Sequence, residues 1–289
     1  MNADALTPNA ELLAMMCVWS YPIVSKSGRR ESSSHWKRRI ETLLAEDGFE
    51  SSEVIDYSDV QAIIAERGNH RVTCFRGTDS AKDMLTNFFS RKVMSTIVPK
   101  VCIHREFNND VAVIRGRVRS IDYSDKKHDW FVGHSRGGAA ASIMAAEIAH
   151  ETKKCVHLVT FEMPRAGGKQ FANFLREHVA EVRFQRAGDI VPLVPTWPFF
   201  WHSIPPAFFD SKGLFRPGAG WITRLVSNTL AIAKQIGSIG LGSVSNHSMS
   251  EMHKIITEEE GELGRNLLFE LMDCKEGQFS QACRCSVGE

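Results

Sequence analysis

Apolar positions first recur at helical spacing in residues 9–20 and 34–46, which predicts two amphipathic helices, the second entered through Ser32–Ser34 and ended before Gly48. Two β-compatible runs follow, Gln61–Glu66 and His70–Phe75, parted by the turn residues Arg67-Gly68-Asn69, and they predict a hairpin. The pattern then changes. Short apolar bursts alternate with longer helical stretches: strand Asp129–Val132, helix 136–150, strand Cys155–Phe161, helix 167–178, strand Glu181–Phe184. Such alternation predicts a mostly parallel sheet with helices on both faces. Ala139, Ala140, Ala141, Ala145 and Ala146 make the first of these helices small-sided, so it can lie close to the sheet. Beyond Pro195 come a proline- and aromatic-rich loop to Phe209, an amphipathic helix over about 221–236 and a glycine- and serine-rich stretch to Ser245. A final helix over about 249–273 completes the pattern. With no repeat and no internal boundary, the expectation is one α/β domain over 1–289, with residues 1–55 as an N-terminal helical cap and 275–289 as a flexible tail.

Composition narrows this picture. A chain of 289 residues with 43% hydrophobic and 24% charged residues can bury a full core, which sets disorder aside. Thirty-five basic against thirty-four acidic residues leave a net charge of +1, too little for a broad cationic field, so nucleic acid is not an expected partner. The seven cysteines are scattered, form no CxxC pair and lie at no zinc-finger spacing, so reduced thiols in structural roles are expected. Cys283 and Cys285 on the polar tail are a candidate redox or lipidation site. The apolar run Leu12–Trp19 lacks a basic stretch before it, and no window reaches eighteen uninterrupted apolar residues. The expectation is therefore a cytoplasmic chain without signal peptide or membrane span, peripheral to a membrane at most.

The chemistry is concentrated in Gly133-His134-Ser135-Arg136-Gly137, a G-x-S-x-G match at the end of a buried strand and the start of a helix. There the glycines remove Cβ atoms that would collide in a sharp strand-to-helix turn, and Ser135 is offered as a nucleophile. A serine hydroxyl needs a histidine to take its proton and a carboxylate to orient that histidine, here in the chain order serine, acid, histidine. Asp189, in Ala187-Gly188-Asp189-Ile190-Val191-Pro192, follows the strand Glu181–Phe184 and is the candidate acid. His202, His247 and His253 lie downstream and compete as base; His247, between a glycine- and serine-rich loop and the last helix, is favoured. The oxyanion requires donors: the backbone N–H of Arg136 after the nucleophile, and Thr78 after the strand ending at Phe75.

These residues, together with Phe75-Arg76-Gly77-Thr78-Asp79-Ser80, Asp83, Leu85, Thr86, Asn87, His104 with Phe107, Thr160-Phe161-Glu162-Met163-Pro164-Arg165 and Asn246-His247-Ser248, resemble the successive blocks of the class 3 (fungal-type) lipase family. The resemblance implies an α/β-hydrolase fold, Ser135 as nucleophile, Asp189 as acid, His247 as base, Thr78 and Arg136 as oxyanion donors, no metal or other cofactor, and a mobile helical lid. It further implies hydrolysis of carboxylic esters in lipids, acylglycerols or phospholipids. Three positions depart from the family pattern: Arg136 where an aliphatic residue is usual, Glu162 where a glycine is usual, and Glu106 where a glycine precedes the aromatic. Arg136 is expected to favour an anionic head group or to pair with Glu162.

Lipid also demands an apolar approach. Val194, Trp197, Phe199, Phe200, Trp201, Ile204, Phe208 and Phe209 crowd one loop beside Asp189, readable either as an interface for a membrane or lipid droplet or as core. Met84–Met94 and the helix from Trp221 are alternative lids. Two further functions share these residues: a catalytically silent lipid-binding module, and an acyltransferase that hands the acyl group to an alcohol other than water.

Overall fold

The computed structural model describes residues 7–25, 27–57, 60–77, 91–237 and 247–263, together with Leu268 and Leu271. Thr78, the first lid segment up to Ser90, Asn246, Cys283, Cys285 and the tail 275–289 lie outside the described residues.

Two helices open the chain, α1 (Ala10–Trp19) and α2 (Ser33–Glu46). The Asn9 side chain accepts from the Leu12 N–H at 2.9 Å and that of Ser32 from the His35 N–H, which satisfies amides that no helical turn can reach. Three strands follow, β1 (Ser51–Tyr57), β2 (Val60–Arg67) and β3 (His70–Phe75). Arg67 faces His70 across the expected tight turn, where Gly68 takes a φ of 54°. A small ribbon of β4 (Lys92–Met94) and β5 (Cys102–His104) leads into α3 (Arg105–Arg119). Then β6 (His128–His134), α4 (Arg136–Thr152), β7 (Val156–Phe161), α5 (Lys169–His178) and β8 (Val179–Arg186) alternate. The chain continues through β9 (Ala207–Phe209), α6 (Trp221–Gly237) and α7 (Met249–Leu263).

The larger sheet runs in the order β1-β2-β3-β6-β7-β8-β9. Pairing is antiparallel between β1, β2 and β3 and parallel from β3 to β9. Its two faces read directly from strand alternation. Phe75, Phe131 and Leu158 point to the layer formed with α3, α4 and α5, whereas Cys74, Trp130, Val132 and Val159 point to the layer shared with α1, α2 and α7. Helix α4 is buried from Gly137 to Ala149, and its alanines let it lie against β6 and β7. This is the mostly parallel, helix-flanked sheet that the alternating pattern predicts, in the α/β-hydrolase architecture that the resemblance implies.

β1, α3 and β9, like the short ribbon of β4 and β5, were not legible as apolar periodicity. β1 has only Val54 and Ile55 buried, because it is the edge strand. In α3 the run Asn108-Asn109-Asp110 and Gly116 dilute the apolar stripe that buries Phe107, Val111, Ile114 and Val118. β9 sits inside the aromatic loop, so Phe208 and Phe209 are core, while Trp197 and Phe199 are each 64% exposed. The reduced-thiol expectation needs one correction: Cys17, Cys74 and Cys102 are free, but Cys155 is disulfide-bonded.

At the amino ends of the parallel strands, away from Ser135, histidines stack. His70 lies 5.2 Å from His128, and His157 stacks on Trp130 at 4.2 Å between ring centroids. Trp130 Nε1 donates to His70 Nδ1 at 3.2 Å. Burial, with the neighbouring His128 and His70 adding to it, pushes the His157 pKa down to about 3. An unfolded histidine titrates near 6.5, so between these values the unfolded chain binds a proton that the folded one refuses, and stability falls as pH falls. Between about pH 6 and 4 the wild type should lose about 1.4 kcal/mol per pH unit more than a His157→Phe variant. Urea unfolding of both proteins across that range measures it, and parallel curves would refute it.

Candidate active site

β6 delivers Ser135 into a turn that only close backbone contact permits. Ser135 has φ 57° and ψ −131°, outside the comfortable regions for an L-residue, and its N–H donates to the Phe161 carbonyl at 2.9 Å. A Cβ at Gly133 would come within 3.0 Å of the Gly137 backbone, and one at Gly137 within 3.0 Å of the Phe75 and Arg76 backbone. A Cβ on Gly77 would likewise strike Tyr21 and the His134 carbonyl and stand 3.2 Å from Ser135 Cβ. The end of β3 therefore runs against the serine, although Thr78 itself lies outside the described residues.

Asp189 follows β8 by way of Gly188, whose φ of 86° suits glycine. The Gly188 N–H donates to Asn228 Oδ1 on α6 at 3.1 Å. Asp189 is fully buried; Oδ1 accepts from the Val191 N–H at 2.9 Å and Oδ2 from His247 Nδ1 at 2.7 Å. That bond fixes the His247 tautomer with the proton on Nδ1, leaving a lone pair on Nε2, which makes no hydrogen bond among the described residues. The His247 ring stacks on that of His134, the residue before Ser135, with centroids 4.6 Å apart and planes 27° apart. His134 Nδ1 is in turn hydrogen-bonded to the Tyr21 hydroxyl at 2.8 Å. Burial, then the proximity of His247, drives the His134 pKa well down, so its ring is neutral.

The competing histidines are occupied elsewhere. His202 Nε2 donates to the Pro192 carbonyl at 2.8 Å, and burial pushes its pKa well down. His253 sits on α7, within reach of Thr257. Of the three, only His247 meets Asp189.

The departures resolve individually. The Arg136 guanidinium forms a two-pronged ion pair with Asp110 of α3, so its carboxylate partner is Asp110 rather than the expected Glu162. Its N–H stays at the start of α4, at the positive end of the helix dipole. Glu106 occupies the first turn of α3. Glu162 is fully buried, with Oε2 3.6 Å from both His134 Nε2 and His247 Nδ1. Its φ of 51° is the left-handed region that costs a side-chain-bearing residue roughly 1–2 kcal/mol. His134, Glu162 and His247 offer one ligand atom each within 4.8 Å of one another. A cation there would have to compete with Asp189 for His247 Nδ1, so the cluster is arranged to hold protons rather than a metal. Tyr21, Asp110 and Asn228 carried no sequence signal, because each reaches the site from a distant segment.

Residues 72–199 match the family model of class 3 lipases. Over 49% of its length the chain is 28% identical to a secreted mono- and diacylglycerol lipase of Fusarium solani, and it spans less than half, 44%, of that protein. Among solved structures it is similar to a mutant form of MDLA from Penicillium cyclopium, with a TM-score of 0.55 and 18% identity over 70% of this chain and 78% of that one. It is also similar to the triacylglyceride lipase of Rhizomucor miehei, with a TM-score of 0.51 and 20% identity over 58% of this chain and 68% of that one.

The turn at Ser135 makes a direct prediction. Gly137→Ala should lower the unfolding free energy by about 3 kcal/mol or leave the chain unable to fold, because its Cβ meets backbone that cannot rotate away. A chemical-denaturation midpoint equal to that of the wild type would show that these segments can part.

Proposed function

We propose, starting from the class 3 lipase pattern of residues 72–199, that the chain is a serine hydrolase that cleaves carboxylic ester bonds of lipids. The observation that supports this most is a histidine whose Nδ1 is held at 2.7 Å by a buried aspartate, whose Nε2 makes no hydrogen bond among the described residues, and whose ring lies over the residue preceding a strained serine.

Ser135 Oγ attacks the ester carbonyl carbon while His247 Nε2 takes its proton, and Asp189 balances the imidazolium without taking the second proton. The oxyanion is met by the Arg136 N–H and by Thr78. Collapse expels the alcohol, which receives the proton from His247 and leaves an acyl group on Ser135. Water then adds by the same route, giving the fatty acid and restoring the serine. Buried surroundings raise the worth of each of these charge contacts.

Substrates of the mono- and diacylglycerol class, named for the Fusarium relative, suit this chemistry. Contact with a lipid surface is supported by Trp197 and Phe199 and by Trp221, Ile222, Leu225 and Val226 on α6, each at least half exposed. Lys92 and Lys169 lie over the neighbouring aromatic rings Phe199 and Trp201. No helix among the described residues is long and apolar enough to cross a membrane, so that contact would be peripheral. The disulfide at Cys155, with the secreted nature of the relative, favours an oxidising compartment over the cytoplasmic one expected from the sequence.

A fluorophosphonate should label Ser135, Ser135→Ala should abolish both labelling and ester hydrolysis, and Asp189→Asn should slow hydrolysis by about 10⁴-fold. Undiminished hydrolysis by Ser135→Ala would end this reading. A Trp197→Ser, Phe199→Ser double variant should bind phosphatidylcholine vesicles about tenfold more weakly in a sedimentation assay. Unaltered sedimentation would remove this loop from the lipid contact.

A further inference from the structure

Glu162, immediately after β7, is a buried carboxyl that the reaction above does not use. Two costs meet there: complete removal from water and a left-handed backbone at φ 51°. Neither of its oxygens accepts a hydrogen bond from any donor group among the described residues. Of the nitrogens 3.6 Å away, His247 Nδ1 is already committed to Asp189, and His134 belongs to a neutral ring. The Asp189 carboxyl is the group that faces Glu162: Asp189 Oδ2 and Glu162 Oε2 lie 2.7 and 3.6 Å from the same nitrogen, His247 Nδ1.

Two carboxyls can share a hydrogen bond only while one of them keeps a proton. Their surroundings decide which. Asp189 accepts N–H groups from both Val191 and His247, which favours the anion, whereas Glu162 has no such donor among the described residues. We propose that Glu162 is a neutral carboxylic acid that donates its proton to Asp189 and thereby positions the carboxylate that orients His247. This positioning role rests on the hydrolase reading.

The surrounding charges agree. Burial and the Asp189 charge push the Glu162 pKa well up; Arg186, at the end of β8 and 3.7 Å from Glu251 of α7, pulls the other way and is outweighed. Tyr21, which reaches the cluster through His134, brings a hydroxyl and no charge. With Glu162 neutral, the carboxyl pair carries one negative charge, matched by the imidazolium formed during acyl transfer. A second negative charge would hold that proton on His247 and delay recovery of the free base.

Glu162→Gln and Glu162→Gly in the full chain test this. In infrared difference spectra at about pH 7 the wild type should show a protonated-carboxyl C=O band that Glu162→Gln lacks, on a Ser135→Ala background as well. In the pH dependence of fluorophosphonate labelling, Glu162→Gln should keep the acid limb within about 0.3 pH unit, since a neutral amide replaces a neutral acid. Glu162→Gly loses the donor to Asp189 and should label about tenfold more slowly, with glutamine restoring most of that rate. An absent band, or an acid limb displaced by about one unit or more in Glu162→Gln, would mean an ionised glutamate and overturn the inference. A Glu162→Gly chain labelling at the wild-type rate would overturn it as well. A band present in a chain that no phosphonate labels keeps the proton on Glu162 and sinks the hydrolase reading instead.

Discussion

A Cβ atom at Gly137 would collide with the backbone at Phe75 and Arg76, and one at Gly133 with Gly137, so the carboxyl ends of β3 and β6 and the first turn of α4 touch backbone to backbone. Ser135 is caught among them at φ 57°, and the Phe161 carbonyl holds its N–H from the next strand. The strain is affordable because the parallel strands and the buried helix α4 fix every flanking segment. The same contact brings Gly77, and with it the start of the following loop, against the serine. Ser135 and the Gly77 backbone thus become neighbours through one packing requirement.

Around that turn the fold removes several ionisable groups from water, and each survives through a specific partner. The Arg136 guanidinium, which would otherwise stand as a cation next to the serine, is taken up by both oxygens of Asp110 on α3. With its side chain turned to α3 and its N–H at the start of α4, an arginine fits where an aliphatic side chain is usual in class 3 lipases. Asp189 is handled differently: two N–H groups stabilise its charge, and one of them belongs to the histidine whose tautomer it sets. Local satisfaction of charge and orientation of the base are one arrangement.

This division also explains what could be read in the chain. Ser135 was legible because its requirement is local: glycines on either side, a strand before it and a helix after it. Asp189 and His247 were legible by chain order and by their place after strand and loop, and the 2.7 Å contact brings them together across 58 positions. Tyr21 could not be foreseen, since its hydroxyl meets His134 from 113 residues away and no periodicity encodes that. Glu162 stood out in the sequence, but its partner did not: the arginine at the start of α4 was the natural choice, and Asp110 had already captured it. The aromatic loop shows the limit of composition, because Phe208 and Phe209 pair as a strand within the sheet while Trp197 and Phe199 face solvent. Aromatic side chains occur in both halves; backbone pairing to β8 separates them.

One hydrogen bond ties the surface to this buried chemistry. α6 exposes Trp221, Ile222, Leu225 and Val226 on one side and on the other buries Asn228, which accepts from the Gly188 N–H. Gly188 occupies a left-handed φ of 86° immediately before Asp189, so its orientation sets how the acid enters the site. Ala231 of α6 packs with Ala187 and Phe208, adding a small apolar contact beside the same turn. A shift of α6 that broke the Asn228 bond would strand a buried amide at Gly188, and that cost is what keeps the helix seated. The exposed apolar face and the carboxylate that meets His247 thus lie on either side of one helix, joined by the Asn228–Gly188 hydrogen bond and by the packing of Ala231 on Ala187 and Phe208.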